Sequence, residues 1–333
     1  MRQTITAKWF IIGVIITVFL GSFVYGLAKP VSSIKGDTIY ITVKPGMTAD
    51  DIGKLLYEQG LIKSVLAFRI IARIHNMENV LKAGDYSFTQ DMSVSQIVGK
   101  LAKGDTSERQ ITIPEGYTVD QVANLLHERK LADADKFKNA ARNYVPYQYM
   151  ETGAAITYKA EGFIFPDTYR IASGVTEEQI LAMMINEFNG QFTAAMKERA
   201  AQLGLTIRDV VILASLVEKE ARVDSDRPII AGVFLNRLKH GMPLQSCATI
   251  QYILGYPKPE LTVQDTEIVS PYNTYQNMGL PPGPIANPGL ASINAVLYFK
   301  DTEYLYFVAD KQGSHQFSKT YEEHLAAIEK VQK

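Results

Sequence analysis

Apolar residues crowd together at the start of the chain and become periodic further on. Trp9–Ala28 reads WFIIGVIITVFLGSFVYGLA, 20 residues without a charge, the length at which an α-helix spans a bilayer core. Arg2 and Lys8 precede it and favour a cytoplasmic N-terminus, while Lys29 and Lys35 oppose that bias. Trp9 and Tyr25 stand near its two ends, where interfacial aromatics belong. A cleaved signal peptide is the competing reading, with Gly26-Leu27-Ala28 as a small-x-small cleavage site. The apolar run exceeds the usual ~7–15 residues of such a peptide, so a retained single-pass anchor is preferred. On either reading the bulk of the chain is exported.

Beyond the anchor the pattern repeats. Residues 41–62, ITVKPGMTADDIGKLLYEQGLI, align without gaps on residues 111–132, ITIPEGYTVDQVANLLHERKLA, at an offset of 70. Each copy opens with strand-like alternation (Ile39, Ile41, Val43; Ile111, Ile113) and turns at a glycine, Gly46 or Gly116. Each then starts a helix at Thr48 with Asp51 or Thr118 with Gln121, the spacing of a capping box. Ile52, Leu55 and Leu56, or Val122, Leu125 and Leu126, give that helix a buried face. A further helix follows each, and closing strands are expected at 83–88 and within 161–171. The first half therefore predicts two βααβ units, with one more helix starting at Ser93 with Gln96. Such a unit on an exported protein resembles a LysM-type glycan-binding module. A packing and spacing role explains the same pattern equally well.

In the second half, TIRDVVILASLVEKEAR from Thr206 is apolar most of the way round, which predicts a buried central helix. It ends in Glu218-Lys219-Glu220. At about 100° per residue the two glutamates lie about 200° apart, so at most one can face a given cleft. A carboxyl at the end of a buried helix is where burial raises a pKa enough for proton donation, although an ion-paired or solvated glutamate fits the same place. A second helix is expected from about Asp226 to His240, burying Ile229, Ile230, Val233, Phe234 and Leu238 and capped by Gly241. The stretch SPYNTYQNMGLPPGPIANPG (270–289) holds five prolines and three glycines and predicts neither helix nor central strand. Its Tyr272 and Tyr275, interleaved with Asn273 and Gln276, suit a sugar, which offers an apolar face and a rim of hydroxyls. An ordinary rigid surface loop is the alternative. Strands at 304–310 and 315–317 and a helix from about Thr320 complete the chain.

Composition narrows the function classes. The 34 basic and 35 acidic residues leave a net charge of −1, no footprint for a nucleic acid. Cys247 is the one cysteine, so no intramolecular disulfide can form. It reads as a small half-buried residue rather than a nucleophile. His75, His127, His240, His315 and His324 are scattered, and no metalloprotease, nucleophile-elbow, Walker or dinucleotide motif occurs. Ser32-Ser33-Ile34-Lys35 matches S-x-x-K but sits in the linker without partner motifs, and is a chance match.

Several motifs together resemble one family. ASLVEKE (214–220), VFLNRLKHGMPLQS (233–246), SPYNTY (270–275), GLPPGPIANPG (279–289) and YFVAD with G.H.F (306–317) are similar to the MltG (YceG-like) endolytic murein transglycosylases, in the family's order. VKPG (43–46), KAGDY (82–86) and EGFIFPDTY (161–169) are similar too. The resemblance implies an α+β protein made of a cytoplasmic tail and transmembrane helix (1–30), a small βααβ LysM-like domain (31–106) and a larger mixed α+β catalytic domain (107–333). It implies cleavage of the MurNAc–GlcNAc β-1,4 bond within nascent strands without water, and places the acid at Glu220. Asn236, Gln245, Tyr272, Asn273, Thr274 and Tyr275 are the motif positions expected to contact substrate. No cofactor or metal is implied. The implied partners are peptidoglycan glycan strands, the membrane through a single pass and cell-wall synthases, with the catalytic domain outside the cytoplasm. Where the family commonly reads LQ-[ST]-DP-T, this chain has LQSCAT, so Cys247 and Ala248 replace Asp and Pro.

Two rivals remain at this stage. One is a muramidase that hydrolyses the same bond, with Asp167 or Asp224 across the cleft positioning water. The other is a non-catalytic anchored scaffold that holds glycan.

Overall fold

The computed structural model describes residues 22–23, 25–34, 36–106, 109–151, 156–172, 175–258 and 260–332. The apolar span expected at Trp9–Ala28 lies outside these residues up to Gly21 and at Val24. Among the described residues no single helix is long and apolar enough to cross a membrane. The chain is a mixed α+β protein of helices and two-stranded sheets, and it divides into two compact units. One runs to Arg109 and includes Arg170–Val175; the other holds Gln110–Tyr169 and Thr176–Lys333.

The first unit follows its hydrophobic pattern closely. Strand β1 (Ile39–Val43) pairs antiparallel with β2 (Gly84–Phe88), Ile41 opposite Tyr86. Helices α1 (Ala49–Glu58) and α2 (Val65–Ile74) lie between them in sequence, and α3 (Val94–Lys103) follows. Thr48 with Asp51 and Ser93 with Gln96 form reciprocal capping boxes, each satisfying backbone donors that a helix start leaves open. Ile41, Val43, Ile52, Leu56, Phe68, Tyr86, Phe88, Ile97 and Leu101 build one core. Leu55, expected inside, lies at the core's edge.

The second unit starts with the other copy of the repeat. β3 (Arg109–Thr112) and β4 (Thr168–Ile171) form a two-stranded sheet, of which Gln110–Thr112 and Thr168–Tyr169 fall in this unit, and α4 (Val119–Glu128) and α5 (Ala134–Asn143) come between them in sequence. Thr118 and Gln121 close the capping box of α4. Next come α6 (Glu177–Gln191), α7 (Ala194–Gln202) and α8 (Ile207–Glu220). All of Val210–Val217 is buried, so α8 is the central helix its sequence predicts. Packed against it are α7, α9 (Arg227–Lys239), α10 (Cys247–Leu254) and α12 (Leu290–Leu297); the short α11 (Val263–Thr266) lies in the connection between α10 and α12. Strands β5 (Tyr306–Ala309) and β6 (His315–Ser318) form an antiparallel hairpin covered by α13 (Tyr321–Gln332).

Two expectations change here. On α9, Ile229 and Leu238 are half-buried, and the charged Arg237 is buried instead. The proline-rich stretch is not a surface loop at its second half: Ile285, Ala286 and Asn287 are fully buried. Their backbone finds partners inside, as buried peptide groups must. Ile285 N donates to Ser215 Oγ (3.1 Å), and Asn287 exchanges bonds with Tyr117 O and Ile164 N. Gly162, at φ 86°, lets this loop approach; a Cβ there would meet the Pro284 ring at 2.4 Å.

Candidate active site

The last turn of α8 carries Glu218, Lys219 and Glu220 out of the core in three directions. Glu218 turns to α9 and α12, where its carboxylate meets Arg227 Nη1 at 3.2 Å and accepts from Ser292 Oγ (2.8 Å) and Gly289 N (3.1 Å). Lys219 Nζ donates to Gly116 O at 3.3 Å. Of the two glutamates only Glu220 reaches a cleft of about 550 Å³, which Lys219, Arg222, Gln245, Cys247, Tyr275, Phe307 and His315 also line. The helical spacing had allowed one glutamate at most in such a place, and the cleft receives one.

The start of α10 meets Glu220. Ser246 occupies its N-cap, but the hydroxyl donates to Glu220 Oε1 at 2.5 Å rather than to its own helix. The nearby Ala248 amide also favours the ionised form of this carboxyl. Burial drives the Glu220 pKa up; the Ser246 hydroxyl, the Ala248 amide and nearby His315 work against that rise. The result is a carboxyl that holds its proton longer than an exposed one, yet has donors ready when it ionises. Among the described residues lining the cleft, Glu220 is the only carboxylate. Asp224 is 91% exposed and bound to Arg227 Nε, while Asp167 accepts from the N–H of Thr168; neither lines the cleft.

The remaining motif residues separate into two groups. Gln245 and Tyr275 line the cleft. Thr274 lies behind it: its carbonyl accepts from Gln245 N and its hydroxyl from Ser246 N, both at 3.0 Å. Asn273 is buried and ties its own turn, donating to Thr266 O and Ile268 O and accepting from Tyr275 N. Tyr272 is buried against Tyr252, ring centroids 5.1 Å apart. Asn236 donates to Thr302 O and Tyr304 O, holding the approach to β5. Cys247, expected half-buried, is exposed at the cleft, with its Sγ 3.1 Å from the Tyr275 hydroxyl.

The profile described as the YceG-like family matches residues 41–330. The chain belongs to the YceG-like family. It is 34% identical to the endolytic murein transglycosylase of Bacillus subtilis (strain 168), over 93% of this chain and 90% of that one. It is 32% identical to the protein of the same name from Streptococcus pneumoniae serotype 2, covering 89% of this chain but 58% of the longer relative. A crystal structure of a YceG-like protein from Listeria monocytogenes matches with a TM-score of 0.60 and 34% identity, over 87% of this chain and 99% of that one.

Three residues of this YceG-like site lie within the quoted motifs but had no role assigned from sequence. Arg237 donates to Leu305 O (2.7 Å), Pro243 O (3.1 Å), Leu244 O (3.0 Å) and Gln245 Oε1 (3.2 Å), clamping the Gln245 loop to the strand β5 side. Its burial is tolerable because the guanidinium fork is filled by acceptors. His315 lines the cleft, and its Nδ1 sits 3.0 Å from Asp226 Oδ2, which also accepts the His315 N–H. A carboxylate on Nδ1 fixes the proton there and leaves Nε2 as the basic nitrogen. Ser246, third, is one polar residue in a run of small ones. Arg237 with Leu305, Ser246 with Glu220 and His315 with Asp226 join residues 68, 26 and 89 positions apart, and no local pattern encodes that.

Proposed function

We propose that this YceG-like protein is an endolytic murein transglycosylase, cutting the glycan strands of peptidoglycan at the MurNAc–GlcNAc β-1,4 bond and leaving 1,6-anhydro-MurNAc ends. The observation that carries this reading is the single carboxyl in the cleft. Hydrolysis by inversion or retention uses a pair of carboxyl groups, one for the leaving group and one for water or the sugar carbon. Intramolecular ring closure needs only one, because the nucleophile is part of the substrate.

Protonated Glu220 donates to the glycosidic oxygen as general acid, and the C1–O bond breaks through an oxocarbenium-like state helped by the sugar's own acetamido group. Glu220, now a carboxylate, is held by the Ser246 hydroxyl, with the Ala248 amide nearby. It then takes the proton of the MurNAc 6-hydroxyl as that oxygen bonds to C1. The ring closes, and Glu220 is protonated again. Gln245 and Tyr275 are the proposed substrate contacts. Asn236, Asn273 and Thr274 act through the backbone they hold, and Tyr272 through its packing against Tyr252. No cofactor or metal enters the scheme.

The wider organisation belongs to the same proposal. Residues 1–30 serve as a single-pass anchor in the cytoplasmic membrane, 31–106 as a LysM-like module and 107–333 as the catalytic domain outside the cytoplasm. There it would terminate strands made by cell-wall synthases.

Mass spectrometry of un-crosslinked peptidoglycan digested by the full chain, beside Glu220→Gln, tests the chemistry. Anhydro ends that vanish in the variant are the expected result. Reducing ends would replace the transglycosylase with a muramidase, and binding without cleavage by either protein would favour a scaffold.

A further inference from the structure

A second hollow, of about 230 Å³, adjoins the catalytic cleft; Lys219, Ala248 and Gln251 line both. One helix joins them. Ala248, Gln251, Tyr252 and Gly255 border the hollow at positions i, i+3, i+4 and i+7 of α10 and its cap, the spacing of a single helical face. At the first end of that face the Ala248 amide lies near Glu220. At the other, Gly255 closes the helix in the left-handed conformation, φ 78°, and Tyr256 follows with 57% of its surface exposed. Eight helical residues separate the two ends by about 12 Å, more than the width of one pyranose ring.

The lining suits a sugar. Tyr256 offers a flat apolar plate, and the wall from α4 carries Gln121 and Asn124, both exposed. Gln251 donates to Lys258 O at 3.2 Å, which orients its amide at the junction of the two hollows. An aromatic face beside carboxamides matches the apolar face and hydroxyl rim of a pyranose. The two copies of the repeat differ at this point. Where the second has Asn124, the first has Lys54, ion-paired with Asp50 at 2.8 Å. The acid–base chemistry at Glu220 makes no use of the hollow.

We propose that this hollow is a further glycan subsite: a strand cut at Glu220 continues along α10 and seats another sugar ring on Tyr256, its hydroxyls meeting Asn124 and Gln251. The assignment rests on the transglycosylase reading and deepens it, because an enzyme that cuts within strands must hold sugar beyond the bond it breaks.

The test is calorimetric titration of full-length Glu220→Gln with un-crosslinked glycan oligomers of increasing length, beside the same protein carrying Tyr256→Ala or Tyr256→Trp. Affinity should rise with length until the hollow is filled. Tyr256→Ala should remove about three- to tenfold of that gain, and Tyr256→Trp should keep it. An equal gain in Tyr256→Ala, or no gain with length in the parent, overturns the subsite. Turnover of the same oligomers by the wild-type chain separates the two readings. Oligomers that bind with a Tyr256-dependent gain but are never cut would sink the enzyme and keep the subsite. Oligomers that are cut, with a gain indifferent to Tyr256, would do the reverse.

Discussion

Glu218 and Glu220 sit two residues apart at the end of one helix and meet opposite surroundings. Glu218 is given a cation, a hydroxyl and a backbone amide, and its side chain keeps 7% exposure. Glu220 is given a hydroxyl and an amide but no cation within ion-pairing distance among the described residues, and it opens on a cleft. The first is fixed as an anion that ties α8 to α9 and α12. The second can change its protonation state because nothing nearby compels it to stay charged. Burial alone does not make an acid; burial without a compensating cation does.

The largest effect should come from Glu220→Gln, which keeps the shape and removes the proton. Turnover of un-crosslinked glycan should fall by about 10²–10⁴, with the melting temperature little changed. Glu218→Gln should do the converse. Leaving half-buried Arg227 beside a neutral group, with exposed Asp224 as its remaining carboxylate, should cost about 1–3 kcal/mol of stability, read by denaturant titration, while turnover per folded molecule persists. If folded Glu218→Gln were the inactive protein and Glu220→Gln the active one, the comparison would be reversed.

Glu161 sharpens the contrast as a third case. It is 1% exposed, accepts from Val119 N and Asn287 Nδ2 and meets the Tyr252 hydroxyl, and burial pushes its pKa up to about 8. Like Glu220 it has no cation within ion-pairing distance among the described residues; unlike Glu220 it does not line the catalytic cleft. With its pKa raised from 4.5 to about 8, the folded chain binds this proton more tightly than the unfolded one. Its contribution to stability is therefore lost as pH rises through that window. Melting temperatures measured from pH 5 to 8.5 should fall, and Glu161→Gln should flatten the fall. A slope unchanged by the substitution would assign it to other groups.

The smallest effect concerns Ser246, whose hydroxyl favours the ionised form of Glu220. In Ser246→Ala the pKa of Glu220 should rise further. A general acid works while protonated, so the alkaline limb of the pH–rate profile should move to higher pH. A limb that stays in place would mean that Ser246 positions Glu220 without tuning it.

Legibility followed sequence distance. The capping boxes at Thr48, Ser93, Thr118 and Thr206 were readable because their partners stand three residues away. The repeat was readable because its strands, turns and stripes recur in register. On the Glu218–Glu220 turn, periodicity reached only the statement that one glutamate at most could face a cleft; the family resemblance selected Glu220. In the tyrosine and asparagine run, Tyr272 and Asn273, expected as sugar contacts, are both buried, Asn273 tying its own turn and Tyr272 packing on Tyr252. An exposed tyrosine and a buried one are the same letter, and only the packing of Tyr252 tells them apart. Arg237 was unreadable for the opposite reason. Its burial depends on carbonyls from 243–245 and 305 converging on it, which no local window contains.

The hairpin β5–β6 and α13 contribute Phe307, His315, His324 and Ile328 to the cleft. During synthesis Glu220 therefore emerges roughly a hundred residues before the wall that encloses it, on the order of ten seconds earlier at about 5–20 residues per second. Through that interval the nascent chain carries its acid on an open helix end, without the cleft. On the proposed reading the cleft is complete only when the C-terminal segment arrives, so a chain stalled or clipped before residue 306 should hold the glutamate without cutting glycan.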